Sequence, residues 1–275
     1  YDVLIRVCPR AAWENHTMVL NIMYQQIQPP ERRERTSEED RLAQSGMEVV
    51  YDGPEVDVRL TLLATLEGLV RAGSEDWHCG PDIGAASTDI IRRAVLPNLV
   101  WRVGRVDATI RKVALAVCFG LLKCGGTLPQ SLFDTAGELV PLLCSNLDDS
   151  EVSPRMMACM CITVVLERLQ GAFAAQSCNE IYPLLLKRLD DSNDQVRLSI
   201  CTTLESFFKC APKENYNSTL LDYSLDQLYV HLDDKDSSIQ QGVYSVIKVV
   251  SDLSRELVLK KAENAKHTHR DVAML

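Results

Sequence analysis

Residues 183–197 read PLLLKRLDDSNDQVR: a proline, an aspartate pair beginning seven positions after it, and an arginine fourteen positions after it. The chain says this phrase more than once. Residues 141–155 read PLLCSNLDDSEVSPR and residues 226–240 read DQLYVHLDDKDSSIQ, so Leu-Asp-Asp recurs at 147–149, 189–191 and 232–234 in steps of 42 and 43 residues. Asp226 stands where the other two copies have Pro141 and Pro183, and Gln240 where they have Arg155 and Arg197. A step of 44 residues back from Pro141 gives Pro97, Gly104 and Arg111, and a further 52 gives Ser45, Asp52 and Arg59. Five copies at this period fit two helices per repeat, whereas the shorter helical repeats run at about 33–34 residues.

The hydrophobic spacing agrees with that count. Ala136, Leu139, Val140, Leu143 and Leu147 share one helical face, as do Leu221, Leu225, Leu228 and Leu232, which makes these the first helices of their copies. After each acidic turn the period resumes, with Val196, Ile200, Thr203, Leu204 and Phe207 in one copy and Ile239, Val243, Val246, Ile247 and Val250 in the next. Those are the second helices. Aromatic residues make up only 6% of the chain and hydrophobic residues 46%, a balance that favours helices over a sandwich or barrel. The expected fold is all-α: a right-handed α-solenoid of antiparallel helix pairs.

The recurring polar positions have physical uses. A proline within a first helix removes a backbone donor and bends the axis, or else opens the helix at its first turn; Pro97, Pro141 and Pro183 fit either use. Carboxylates in the turn before a second helix accept from its free amides and favour its N-terminus. In a stack, each arginine bridges its own turn to the next, and this gives a structural ladder of Asp52, Arg59, Arg111, Asp148, Arg155, Asp190, Arg197 and Asp233. Gly104 and Gln240 interrupt it, so copies two and five are expected to be looser there. Asp149, Glu151, Asp191, Asn193, Asp234 and Lys235 in the turns, with Trp77, are the candidate partner contacts.

Several classes of function are disfavoured. A net charge of −9 argues against general affinity for nucleic acid or anionic lipid. Apolar runs such as 114–122 are far shorter than the ~20 residues that span a bilayer. The ten cysteines are scattered through apolar helical runs without a CxxC, which reads as buried thiols in a reducing cytosol rather than disulfides or a zinc site. Residues 125–127 lack the rest of a phosphate loop and read as a helix stop. No serine, histidine and acidic set is locally organised, so neither catalysis nor a cofactor is expected.

The proline, the aspartate at plus seven and the Val-Arg or its equivalent at plus fourteen resemble the HEAT-repeat signature, over about residues 42 to 255. The repeat order, followed by a charged terminal helix with Arg255-Glu256-Leu257-Val258 and His267-Thr268-His269-Arg270, is similar to the C-terminal part of the HEAT-repeat axonemal dynein assembly factors. That resemblance implies a non-catalytic protein scaffold for cytoplasmic preassembly of ciliary dynein arms. Its implied partners are axonemal dynein heavy or intermediate chains and other assembly factors or chaperones. Two alternatives are a tubulin-binding array of the TOG type, disfavoured because the turns and tubulin are both acidic, and a general HEAT adaptor for another complex.

The expected organisation is one HEAT-repeat solenoid over 1–275. A partial repeat at 1–27 and a charged linker at 28–46 precede repeats at 42–71, 85–125, 131–170, 177–210 and 218–253, and a capping helix and tail occupies 254–275. The start at Tyr1 and the apolar content of 1–27 are read as a solenoid continuing upstream. The 52-residue step between copies one and two is read as an exposed insertion around residues 72 to 88, whose Trp77 either anchors a partner or tucks against the repeats.

Overall fold

The structure is a computed structural model that describes residues 1–29, 54–75, 79–124 and 129–265. Every regular element among the described residues is helical. Three short helices, α1 (Asp2–Val7), α2 (Pro9–Glu14) and α3 (His16–Ile27), precede α4 (Pro54–Glu75). Then come α5 (Gly80–Ile90), a π-helical turn (Ile91–Val95), α6 (Leu96–Leu99), α7 (Arg105–Lys123), α8 (Pro129–Asn146) and α9 (Val152–Arg168). The chain continues with α10 (Ala175–Leu186), α11 (Asp194–Lys209), α12 (Ser218–Val230), α13 (Ser237–Leu253) and α14 (Arg255–Ala265). None of the described helices is long and apolar enough to cross a membrane.

Local chemistry sets many of the starts. Asn193 caps α11 by accepting from the backbone N–H groups of Gln195 and Val196, Asn217 caps α12 through Leu220, and Asp236 caps α13 through Ser238. Helix α7 instead begins at Gly104, whose φ of 114° is open to glycine and strained for other residues.

The chain divides into two compact units. In the first, Tyr1–Leu142 with Asp149–Met157, α4 packs against α7, and α1, α2 and α3 pack against α4. Trp13 is fully buried there and donates from Nε1 to the Leu69 carbonyl at 3.0 Å. A Cβ on Gly73 would lie 2.1 Å from that indole nitrogen, so this close approach requires a glycine. Pro97 has no N–H to offer the carbonyl four residues back, that of Arg93. Gln28 supplies the donor from outside the helix, Nε2 to O at 2.7 Å, and the π-helical turn lies directly before this break.

The second unit comprises Leu143–Asp148 and Ala158–Leu275. Its helices pack pair within pair and like against like: α10 on α11, α12 on α13, α10 on α12, and α11 on α13. The faces at helical spacing are the buried ones, since Ile239, Val243, Val246, Ile247 and Val250 of α13 are all 0% exposed. Pro141 and Pro183 lie inside α8 and α10, so these two prolines interrupt their helices rather than open them.

The region around 72–88, expected as an exposed insertion, is largely helical. Residues up to Glu75 belong to α4, and α5 starts at Gly80 with Pro81 in its first turn; Ile83, Ala86 and Ile90 then recur on a buried face. The Gly-Pro pair that reads as a loop is a helix start. Trp77 lies outside the described residues, as do Asp52 and most of the 28–46 linker.

Candidate functional site

The turns between the paired helices carry the recurring polar residues, and each is built around the second aspartate. Asp149 accepts the backbone N–H of Glu151 at 2.9 Å, Asp191 that of Asn193 at 3.0 Å, and Asp234 that of Asp236 at 2.9 Å, in every case through Oδ1. This Asx turn swings the carboxylate back beneath the coming helix, where its Oδ2 meets a cation. Arg111 Nε donates to Asp149 Oδ2 at 2.5 Å, Arg188 Nη1 reaches Asp191 Oδ2 at 3.3 Å, and Arg197 Nη2 is bonded to Asp234 Oδ2. Burial pushes the Asp234 carboxyl up, but the Asp236 N–H and the Arg197 guanidinium outweigh it and hold Asp234 below the usual carboxylate range.

The residue fourteen positions after the proline slot also clamps its own turn. Arg155 Nη1 donates to the Asp149 carbonyl at 2.9 Å, Arg197 Nε to the Leu189 carbonyl at 2.8 Å, and Arg111 Nη1 to the Arg102 carbonyl at 2.7 Å. Gln240 makes the same kind of bond to the Asp234 carbonyl at 2.6 Å, so copy five keeps its clamp with a neutral donor. Copy two keeps its onward link, with Arg111 and Asp149 2% and 0% exposed in their side chains, but Gly104 and Arg105 offer no carboxylate to copy one.

Two links between copies, Arg111 to Asp149 and Arg197 to Asp234, therefore run through the second aspartate, while Arg188 holds Asp191 within its own copy; Asp148 and Asp190 make other contacts between copies. Asp148 lies in the turn after α8, and Asp190 and Asp233 close the short 3-10 turns that follow α10 and α12; all three are exposed. Asp148 is held by Lys187 Nζ at 2.8 Å and Arg188 Nη2 at 2.9 Å, and Asp190 lies 3.6 Å from His231 Nε2. Arg188 and His231 occupy the same position of successive copies, which makes a second row of contacts outside the first. Of the candidate partner contacts, Asp149 and Asp191 are buried and so present no surface. Glu151 and Lys235 are exposed, and Asn193 and Asp234 half-buried.

Arg59 takes a different partner. It is buried and donates from Nε to Asn98 Oδ1 at 2.8 Å, while Asn98 Nδ2 donates to the carbonyls of Ala94 at 2.7 Å and Ile27 at 3.3 Å. Burial, with Arg102 nearby, lowers the Arg59 guanidinium to about 10 against the opposing pull of Asp107. Copy two carries Arg105 where the later copies have the second aspartate, and its turn exposes Val100, Trp101 and Val103.

Nine of the ten cysteines are buried and Cys8 is exposed; all are free thiols. Burial pushes Cys144 and Cys201 up to about 12, which leaves them protonated and unreactive at neutral pH. Among the described residues no group of three His, Cys, Asp or Glu side chains is placed to hold a metal ion.

A family model for the HEAT-like repeat matches residues 152–207. Dynein axonemal assembly factor 5 of Xenopus laevis is 32% identical over 222 residues, 80% of this chain and 26% of that protein. The Homo sapiens protein of the same name is 27% identical over 78% of this chain and 25% of its own length, and the Mus musculus protein 30% identical over 66% and 22%. The chain thus spans about a quarter of the length of these relatives. A designed armadillo repeat protein superposes with a TM-score of 0.55 at 18% identity, covering 89% of this chain and 87% of its own. A second engineered protein gives 0.54 at 12% identity, covering 92% and 96%. The fold is that of all-α helical-repeat proteins, residues 152–207 match the HEAT-like repeat, and most of the chain is similar to part of dynein axonemal assembly factor 5.

Proposed function

We propose that this chain is a non-catalytic protein-interaction scaffold that acts in the cytoplasm, in the preassembly of axonemal dynein arms. Its clients in this reading are dynein heavy or intermediate chains, held for other assembly factors and chaperones. The observation that carries the proposal is the 32% identity, over four-fifths of the chain, to a protein named for dynein assembly. The turn geometry supports it: buried or half-buried residues lock these turns, leaving the neighbouring Glu151, Asp190, Asp233 and Lys235 side chains exposed. The test is affinity capture from ciliated-cell cytosol with mass spectrometry, using Leu185→Asp with Leu228→Asp as the unfolded control, since both leucines are 0% exposed. Enrichment of axonemal dynein chains over that control supports the proposal, and equal recovery in both arms sinks it.

One observation favours a second reading, tubulin binding. The acidic turns at 148–151, 190–194 and 233–236 repel an acidic surface, but the turn at 100–105 carries Arg102 and Arg105 beside Trp101, which is 53% exposed. Under this reading, microtubule co-sedimentation at low salt is lost on Trp101→Ala. Co-sedimentation that is absent, or indifferent to this change, removes it.

A further inference from the structure

Helix α14 leaves α13 at Ser254, where φ is −151° and ψ 82°, and folds back against α12 and α13. The contact is thin. Val258 is the single buried residue of α14, whereas α12 buries six residues and α13 five. Leu257, Lys261, Ala262 and Ala265 are half-buried alongside Val258 at helical spacing, and Leu259, Lys260, Glu263 and Asn264 are exposed. The stripe is narrow for a helix that completes a core.

Polar fastenings accompany it. The Tyr229 hydroxyl, on α12, donates to the Val258 carbonyl at 2.8 Å. Lys261 Nζ lies 2.9 Å from Asp222 Oδ2 and 2.6 Å from Asp226 Oδ1. Asp222 and Asp226 are one turn apart on α12, where like charges repel, and Lys261 relieves that repulsion. Both carboxylates remain half exposed, at 50% and 55%, so the ion pairs are of the kind that stabilises little. Burial of Lys261 works against its charge, but Asp226 and Asp222 outweigh it and hold the ammonium above its usual range.

Lifting α14 away leaves a surface with specific demands: a cation over Asp222 and Asp226, an acceptor for the Tyr229 hydroxyl, and an apolar side chain in the place of Val258. We propose that this face of α12 and α13 is a docking site for a basic amphipathic helix of a partner protein, and that α14 is its resident intramolecular occupant, displaced when the partner binds. The resident helix specifies the partner's pattern: two adjacent apolar residues, a Lys or Arg three positions after the second, and small residues one and four positions after that cation. A tethered occupant competes at an effective concentration on the order of millimolar, so a partner with the same contacts binds weakly and one with a bidentate Arg over the two aspartates binds better. The proposal stands apart from the identity of the clients, because it rests on the face of α12 and α13 alone.

The experiment uses the full chain in two forms, wild type and a Val258→Asp, Lys261→Glu double variant that releases α14. The probe is a fluorescent peptide of residues 254–265 in their native sequence, followed by anisotropy. The released chain is expected to bind the peptide at least tenfold more tightly than wild type. Adding Asp222→Asn and Asp226→Asn to the released chain is expected to remove most of that gain, as is raising the salt concentration. Circular dichroism should show the released chain melting cooperatively within a few degrees of wild type. Peptide bound by neither chain, or equally by both, overturns the proposal. Loss of cooperative melting in the released chain also overturns it, by making α14 an integral part of the core. Wild-type chain that dimerises by exchanging α14 assigns the face to a second copy and overturns the partner assignment.

Discussion

Arg111 and Asp149 stand 38 positions apart and form an ion pair withdrawn from solvent on both sides, with side chains 2% and 0% exposed and Nε 2.5 Å from Oδ2. The same carboxylate holds the Glu151 N–H through its other oxygen. One side chain thereby closes the turn before α9 and fastens it to the second helix of the copy before.

Removing one partner of a buried pair strands the other charge, at a cost of about 3–5 kcal/mol. Arg111→Ala is therefore expected to lower unfolding free energy by that order in urea titration. Lys187→Ala, at an exposed pair with Asp148, should change it by less than ~1 kcal/mol. Equal effects from the two variants would show that burial does not govern these links.

Two glycines of α4 should respond in opposite directions to the same substitution. Gly73→Ala forces a Cβ against the Trp13 indole and the Ile83 side chain, and overpacking of this kind costs ~1–3 kcal/mol. Gly68 has open space around the position of a Cβ, so Gly68→Ala should stabilise the chain by about 0.5–1 kcal/mol through helix propensity. Thermal melts of both variants beside wild type are the check.

Acid should weaken the second unit in two stages. His231 is buried, with Asp190, Arg197 and Asp234 around it. Burial lowers its pKa, an effect Arg197 reinforces and the two aspartates oppose. The folded state thus takes up its proton later than the unfolded chain does. The His231 contribution is complete above the unfolded value of about 6.5 and is lost as pH falls from there through the lowered folded pKa. Asp234 is also depressed, so its contribution is complete above the ordinary carboxylate value of about 3.9 and is lost as pH falls through its own lower pKa. Melting temperature measured from pH 8 downward should first decline near pH 6.5, and His231→Gln should remove that first decline while leaving the second.

Exposed turn residues should separate binding from folding. Glu151→Lys and Lys235→Glu reverse exposed charges in two turns and are expected to change melting temperature by less than two degrees or so, as surface substitutions do. Client recovery in the capture assay should fall with them. Unchanged recovery would move the binding surface off these turns.

Much of the frame was legible in the chain. The steps of 42 and 43 residues between Leu-Asp-Asp phrases and the faces such as Ile239 to Val250 required helix pairs, because period and amphipathicity are properties of the chain itself. The register of the ladder was not legible. Adjacent aspartates are equivalent as text, and the Asx turn at the second one decides which carboxylate turns inward. Gln240 shows the same limit, since it replaces an arginine in sequence and yet keeps the backbone clamp.

The sequence by itself determined that this protein is a run of helix pairs with acidic turns, since side-chain spacing and turn chemistry act over a few residues. Only the tertiary structure decided that Asp149 is buried against Arg111, that Gln28 satisfies the carbonyl freed by Pro97, and that Lys261 of α14 sits between Asp222 and Asp226. Those partners lie 35 to 65 positions apart in the chain. Meetings at such separations depend on how whole helices stack, which no local pattern encodes.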